Sequence, residues 1–369
     1  MADHPHDEHH HHHDMTDHAH DHYEHDHEHD HGQDDGWGQR IASALHLPGS
    51  GHSHGTLAGE QALVETSEGI RTVWLAMIVL LLTSVLQVVI VLLSGSVALL
   101  ADTLHNIGDG LNSIPLLVAF YLARRAACRR YPYGYGRAED VAGVFIVLSI
   151  VVSAAIVFWE SFQKLLDPQP LTNLGWVAAA AVVGFLGNEG VALLQIRVGR
   201  RIGSAALVAD GLHARTDGLT SLAVLIAVAG SWLGFPIVDP IVGLLIGVVI
   251  LFITWDAARS IWYRLMDAVE PELLDQAVAV AAATPGVKQV HRVRMRWVGH
   301  SLHCEATVAV ESQLTAEQVH EISEEVRHTL FHEIDRLAEV VVQIDPWSHR
   351  PEAIHQRTLH HEPVPQLLR

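Results

Sequence analysis

The phrase A-D-x-L-H-x-x-x-D-G-L occurs twice in the chain, at Ala101–Leu111 and at Ala209–Leu219. Each copy places a histidine and an aspartate four residues apart, His105 with Asp109 and His213 with Asp217. In a helix that spacing puts both side chains on one face, where they can hold one ion together. Both copies lie inside hydrophobic stretches, where an ionisable group is expensive and points to function. Two imidazoles and two carboxylates in tetrahedral array suit Zn2+, and Co2+ can use the same set; Cd2+ and Fe2+ stay open, whereas oxygen-only sites suit Mg2+ or Mn2+. Histidine titrates near neutral pH and must be neutral to bind metal, so protons and metal would compete for such a site. A single histidine in an apolar helix is more often a hydrogen-bonded packing residue. The recurrence of a whole phrase, extended by Ser113 and Ser221, favours a site.

The elements that must position these groups are apolar blocks. The chain is 49% hydrophobic, and its apolar residues concentrate at Val73–Leu93, Val97–Leu122, Val141–Phe162, Leu174–Ile196, Ala205–Gly230 and Ile237–Ile253. Each approaches the length needed to cross a bilayer as a helix, so the fold class expected is an α-helical membrane protein with six transmembrane helices. Arginines cluster between blocks two and three, between four and five, and after six, which places both termini in the cytoplasm. The two phrases then fall on antiparallel helices, as an inverted three-helix repeat would arrange them, with the site near the midplane. Asp102 and Asp210 lie about one turn from their histidines and suit a contact behind the ligands, an acid on the access path, or a helix-end contact. Arg215 faces away from His213 and Asp217 and needs a partner or water; Glu189 is available.

Much of the acidity behind the net charge of −19 sits with the histidines in residues 1–35. Seventeen of the 29 histidines fall in residues 1–54, mostly alternating with Asp and Glu. Such a stretch cannot form a core, and its imidazoles and carboxylates suit weak capture of borderline divalent ions. A tag at His9–His13 or a solvated tail without a role are the plainer readings. No basic, aromatic-interleaved patch suggests nucleic acid. Cys128 and Cys304 imply no disulfide framework, and no cleavable signal peptide is expected. The division expected is a disordered His-rich cytoplasmic tail at 1–69, the six-helix domain at 70–264, a small α+β cytoplasmic domain at 265–348 and a C-terminal tail at 349–369. In that domain Pro271–Ala283 and Thr315–Leu330 read as helices, and Val287–Trp297, Ser301–Val310 and Val340–Ile344 as strands. One sheet face should be covered by the helices.

The two His/Asp pairs on the second and fifth of six helices resemble the cation diffusion facilitator family. So do the loop Tyr131-Pro132-Tyr133-Gly134-Tyr135-Gly136-Arg137-Ala138-Glu139, similar to that family's Y-G-x-x-R-A-E segment, and the metallochaperone-like domain after helix six. The resemblance covers about residues 70–348. It implies a homodimer in the cell membrane that moves divalent metal out of the cytosol in exchange for protons, with His105, Asp109, His213 and Asp217 as the transport ligands. The two-and-two ligand set resembles the zinc-transporting branch. No cofactor is implied; Zn2+ is cargo and a candidate regulatory ion, and the lipid bilayer and a second copy of the chain are the partners. In the cytoplasmic domain the resemblance implies zinc binding across the dimer interface by His291, His303, His320 and Asp345. Gln343 stands where a histidine is usual, which leaves one ion there, or Cys304 as a substitute ligand. Surface histidines without a ligand role are the plainer reading. Tyr131 and Tyr135 occupy positions that carry Asp and His in members with an extra loop site, so that site is expected to be absent. Arg137 stands at a basic position that locks the dimer in some members. A non-transporting zinc sensor or scaffold and a passive channel are the rival functions, and Co2+, Cd2+, Fe2+ or Mn2+ the rival cargoes. No enzyme is expected, because the ligands saturate a metal and leave no open position.

Overall fold

The computed structural model describes residues 57–94, 108, 110–166, 173–235 and 237–347. Both expected tails, apart from residues 57–69, and the candidate ligands His105 and Asp109 lie outside the described residues.

The membrane portion comprises α1 (Leu57–Ser94), α2 (Ile114–Ala123), α3 (Arg137–Leu166), α4 (Leu174–Ile202), α5 (Ala205–Trp232) and α6 (Val238–Leu265). Four of these, α1, α3, α4 and α6, are long and apolar enough to cross a membrane. With 28 residues α5 has the length too, although its middle carries Asp210, Arg215 and Asp217. The described α2 is the C-terminal part of the second expected block. At their N-terminal ends α1 and α3 outrun their apolar blocks, and the extra turns find partners. At its start α1 includes Thr66, which is 4% exposed, within a stretch read from sequence as tail. The first turn of α3 holds Glu139 and Asp140, buried although charged.

Val73, Phe120, Ile146, Ile150, Leu207 and Ile250 pack together as the interior of this bundle. Its outer surface presents Leu81 and Leu82 from α1 and Phe252 and Trp255 from α6, all well exposed. An apolar exterior of that extent is what acyl chains require. Around α5 pack α4, α3 and α6. The α4–α5 approach is close: a Cβ on Gly211 would lie 2.9 Å from the Ile196 backbone nitrogen, so a larger residue would push the helices apart. Gly203, at φ +74°, ends α4 in the left-handed conformation and lets the chain reverse at once. Ser204 then caps α5, its hydroxyl accepting from the Leu207 amide at 3.0 Å.

The cytoplasmic portion follows as α7 (Pro271–Ala283), β1 (Val287–Val298), β2 (Ser301–Val310), α8 (Ala316–Glu333) and β3 (Leu337–Pro346). The sheet order is β1-β2-β3, with β1 and β2 antiparallel and β2 and β3 parallel across the α8 crossover. A reciprocal cap between Thr315 and Gln318 starts α8. One sheet face contributes Met295, Trp297, Leu302, Cys304, Val308 and Val340 to a core with Ala277, Ala281, Val326 and Leu330 of the helices. By strand alternation the other face carries Arg294, Arg296, His303, Glu305, Glu339, Gln343 and Asp345.

This domain docks on the bundle through the β1–β2 turn. His300 is buried there, its Nδ1 2.8 Å from Glu139 Oε2 of α3 and its Nε2 3.2 Å from Thr66 Oγ1 of α1. The Arg264 guanidinium stacks 4.0 Å over the Trp297 ring and donates to the Gly203 and Gly299 carbonyls. Arg137, the position of interest for a dimer lock, pairs within this chain with Asp140 and Asp267.

Candidate metal-transport site

Three acids and bases line one side of α5. Asp210, His213 and Asp217 are 3%, 2% and 7% exposed, a degree of burial that charged groups reach only with partners. His213 Nε2 lies 3.8 Å from Asp217 Oδ2, the one-turn approach that the sequence spacing requires. The Asn112 amide nitrogen lies 2.9 Å from the same Nε2. Asn112 immediately follows the first phrase, so the residue next to that phrase in sequence lies directly against the second.

Asp210 has a separate task. Its Oδ2 accepts from the Ser113 hydroxyl at 2.7 Å and from the Gln195 amide at 2.5 Å. It therefore joins α5 to α4 and to the residue preceding α2. The Thr220 and Ser221 hydroxyls turn back to the Asp217 carbonyl at 2.7 and 3.1 Å, so these polar groups are satisfied locally. Arg215, on another face, grips Glu189 of α4 with Nη2 2.7 Å and Nε 3.4 Å from the two carboxylate oxygens. That fork-to-carboxylate pair is the expected neutralisation of an arginine at membrane depth.

Sequence reading overlooked Asn112 and Gln195. A signal existed for each: Asn112 is three residues after Asp109 in sequence, and Gln195 is a lone amide in an apolar block. Which partner each meets depends on how the helices cross.

In the cytoplasmic domain the four candidate ligands separate. His291 Nδ1 lies 3.1 Å from Asp345 Oδ2, with the Gln343 amide 3.5 Å from the other carboxylate oxygen. His303 Nδ1 instead meets Glu339 Oε2 at 2.8 Å, its neighbour on the parallel strand. Burial lowers the His303 pKa, with Glu339 opposing the shift. His320 does not join them, because it is an exposed residue of α8, in the helix layer that covers the opposite sheet face. Cys304 is no substitute ligand either. It points into the core, 1% exposed, and burial pushes its thiol up to about 11. Among the described residues no three of His, Cys, Asp and Glu stand close enough together to hold one ion. In the α2–α3 loop the Tyr131 and Tyr135 rings are 4.7 Å apart, and the Tyr135 hydroxyl lies 3.7 Å from Cys128 Sγ, a bond that lowers the thiol's pKa.

Residues 73–266 match the cation efflux transmembrane domain, and residues 269–347 match the cytoplasmic domain of cation efflux proteins. The chain belongs to the cation efflux family. It is 50% identical over 299 residues to a probable cation efflux system protein of Mycobacterium tuberculosis, covering 81% of this chain and 90% of that one. It is 32% identical over 260 residues to the cation-efflux pump FieF of Serratia proteamaculans, covering 70% and 86%. A solved MamM CTD is 28% identical over 21% of this chain and all of its own, with a TM-score of 0.21. The protein is thus a multi-pass membrane transporter of divalent metal cations with a dimerising cytoplasmic domain. Metal ions are its cargo, and its family are transporters, not enzymes.

Proposed function

We propose that this transporter exports zinc from the cytosol in exchange for protons, with His105, Asp109, His213 and Asp217 as the ligands of the travelling ion. The observation that carries the reading is the buried His213–Asp217 pair on α5, one turn apart, beside the segment that immediately follows the first phrase. Mixed imidazole and carboxylate ligands favour zinc over harder ions. Protonating His213 destroys its lone pair for the metal, so a more acidic outer side would displace the ion outward while a neutral cytosol loads it. Asp210 serves this site as a positioning residue, holding α5 in register with Ser113 and Gln195. Arg215 and Glu189 cancel each other's charge away from the ion.

The membrane is the cell membrane, with both termini in the cytosol, and the domain limits are those expected from sequence except that α1 begins at Leu57, within the expected tail. The sheet-face pairs His291–Asp345 and His303–Glu339 are a regulatory zinc surface between two copies of the chain. The experiment is zinc uptake by vesicles carrying the protein, at fixed metal and with an imposed pH gradient. Exchange predicts uptake driven by protons leaving and abolished by Asp217→Ala. Uptake indifferent to the gradient would indicate a channel, and no uptake at all a sensor or scaffold.

A further inference from the structure

On α8, His328 and His332 are one turn apart, exposed, with ring centroids 4.4 Å apart in an edge-on arrangement. We propose that these two imidazoles form a separate, exchangeable docking site for a borderline divalent cation such as Zn2+, Ni2+ or Co2+, on the helix layer of the cytoplasmic domain. A metal held about 2.0–2.1 Å from one nitrogen of each ring would lie between rings at roughly this separation, so loading asks for ring rotation without movement of the backbone. Two histidines at this spacing on one helical face make a bidentate grip whose backbone is fixed in advance.

The surroundings favour a cation. Glu321 and Glu325 share the same exposed stripe of α8, by helical spacing, and raise the local concentration of positive ions. The nearest cation in sequence, Arg327, is occupied by Glu324 at 2.7 Å. His332 stands in the last turn of α8, where the helix dipole favours positive charge. The pair lies on the layer opposite the His291–Asp345 and His303–Glu339 face, so it is a different place from the regulatory surface proposed above. Among the described residues no third protein ligand completes a metal group. A two-imidazole grip with water on the remaining positions is a site of capture and release, unlike a closed structural zinc site.

The test is diethylpyrocarbonate modification of the full-length chain, read residue by residue by peptide mass spectrometry as Zn2+ alone is added. His328 and His332 should slow together, with one shared zinc midpoint. At free zinc about ten times that midpoint the slowing should be about tenfold, by mass action. His320, exposed on the same helix but eight residues away and so about 12 Å along the axis from His328, should keep its rate. In His332→Ala, which leaves an exposed helix with its best helix former, His328 should lose its protection; His328→Ala should do the same to His332. The proposal is overturned if His328 and His332 react unchanged at zinc concentrations that protect the N-terminal histidines, or if either alanine variant leaves the partner protected. Vesicle transport reads the transmembrane site and not this one, so the two proposals fail separately.

Discussion

The protein keeps histidine–carboxylate pairs in two very different settings. On α5 the His213–Asp217 pair is almost wholly removed from solvent, within a helix whose neighbours hold Asp210 through two further donors. On the sheet of the cytoplasmic domain His291 and His303 are 23% and 17% exposed at their side chains, and each meets one carboxylate of β3. A buried charge that loses its partner has no water to turn to, so the cost of a lesion rises with burial. The same residue types therefore stand to lose more by a lesion in the membrane than on the sheet outside it.

The largest test of that contrast sets Asp217→Ala beside His291→Ala. In proton-driven vesicle uptake the first should reduce zinc transport to background. The second should leave the maximal rate in place and shift only its dependence on zinc. Equal losses would erase the distinction between the two regions. Next in size is His213→Asp, which hardens the ligand set; selectivity should move from Zn2+ toward Mn2+ or Cd2+, and the pH profile of uptake should move acidward. An unchanged metal preference in competition uptake would mean that His213 does not choose the ion.

Smaller effects belong to residues behind the proposed ligands. Ser113→Ala removes one of two donors to a buried carboxylate and should cost about 1–3 kcal/mol of stability, read by thermal unfolding in detergent. Partial transport should survive, because Gln195 still holds Asp210.

Outside the membrane, His303 gives a pH test whose sign follows from its lowered pKa. The folded domain binds this proton less readily than the unfolded chain, so the contribution of His303 is complete above the ordinary histidine pKa of about 6.5 and declines as pH falls below it. Urea unfolding should therefore be easier at acidic than at neutral pH, and His303→Gln should shrink that difference. The smallest effect concerns the two thiols. A neutral maleimide should label Cys128 readily at pH 7 and leave Cys304 untouched, since one thiol is exposed with a lowered pKa and the other is buried and raised to about 11.

Much of the molecule is written in local periodicity. The His-x-x-x-Asp pairs, the apolar blocks and the α-β-β-α-β order of the cytoplasmic domain each depend on residues near one another in sequence, where a period of 3.6 or 2 fixes which side chains share a face. For that reason the His213–Asp217 approach and the membrane class were legible from sequence, and the pairing of Arg215 with Glu189 could be anticipated from the cost of a lone charge in lipid. Element ends were less legible. The polar first turn of α3 looked like loop until Glu139 and Asp140 were seen to meet His300 and Gly299 of the cytoplasmic domain.

Only the tertiary structure decided the contacts between distant segments. Asn112 against His213, Gln195 and Ser113 against Asp210, and the division of the sheet-face histidines into His291–Asp345 and His303–Glu339 all depend on helix crossing and strand register. The placement of His320 and Cys304 away from those pairs follows from which face of the sheet the helices cover. A local sequence pattern states which face of an element is apolar or polar, but the neighbour that each polar group meets is chosen by the packing of the whole chain.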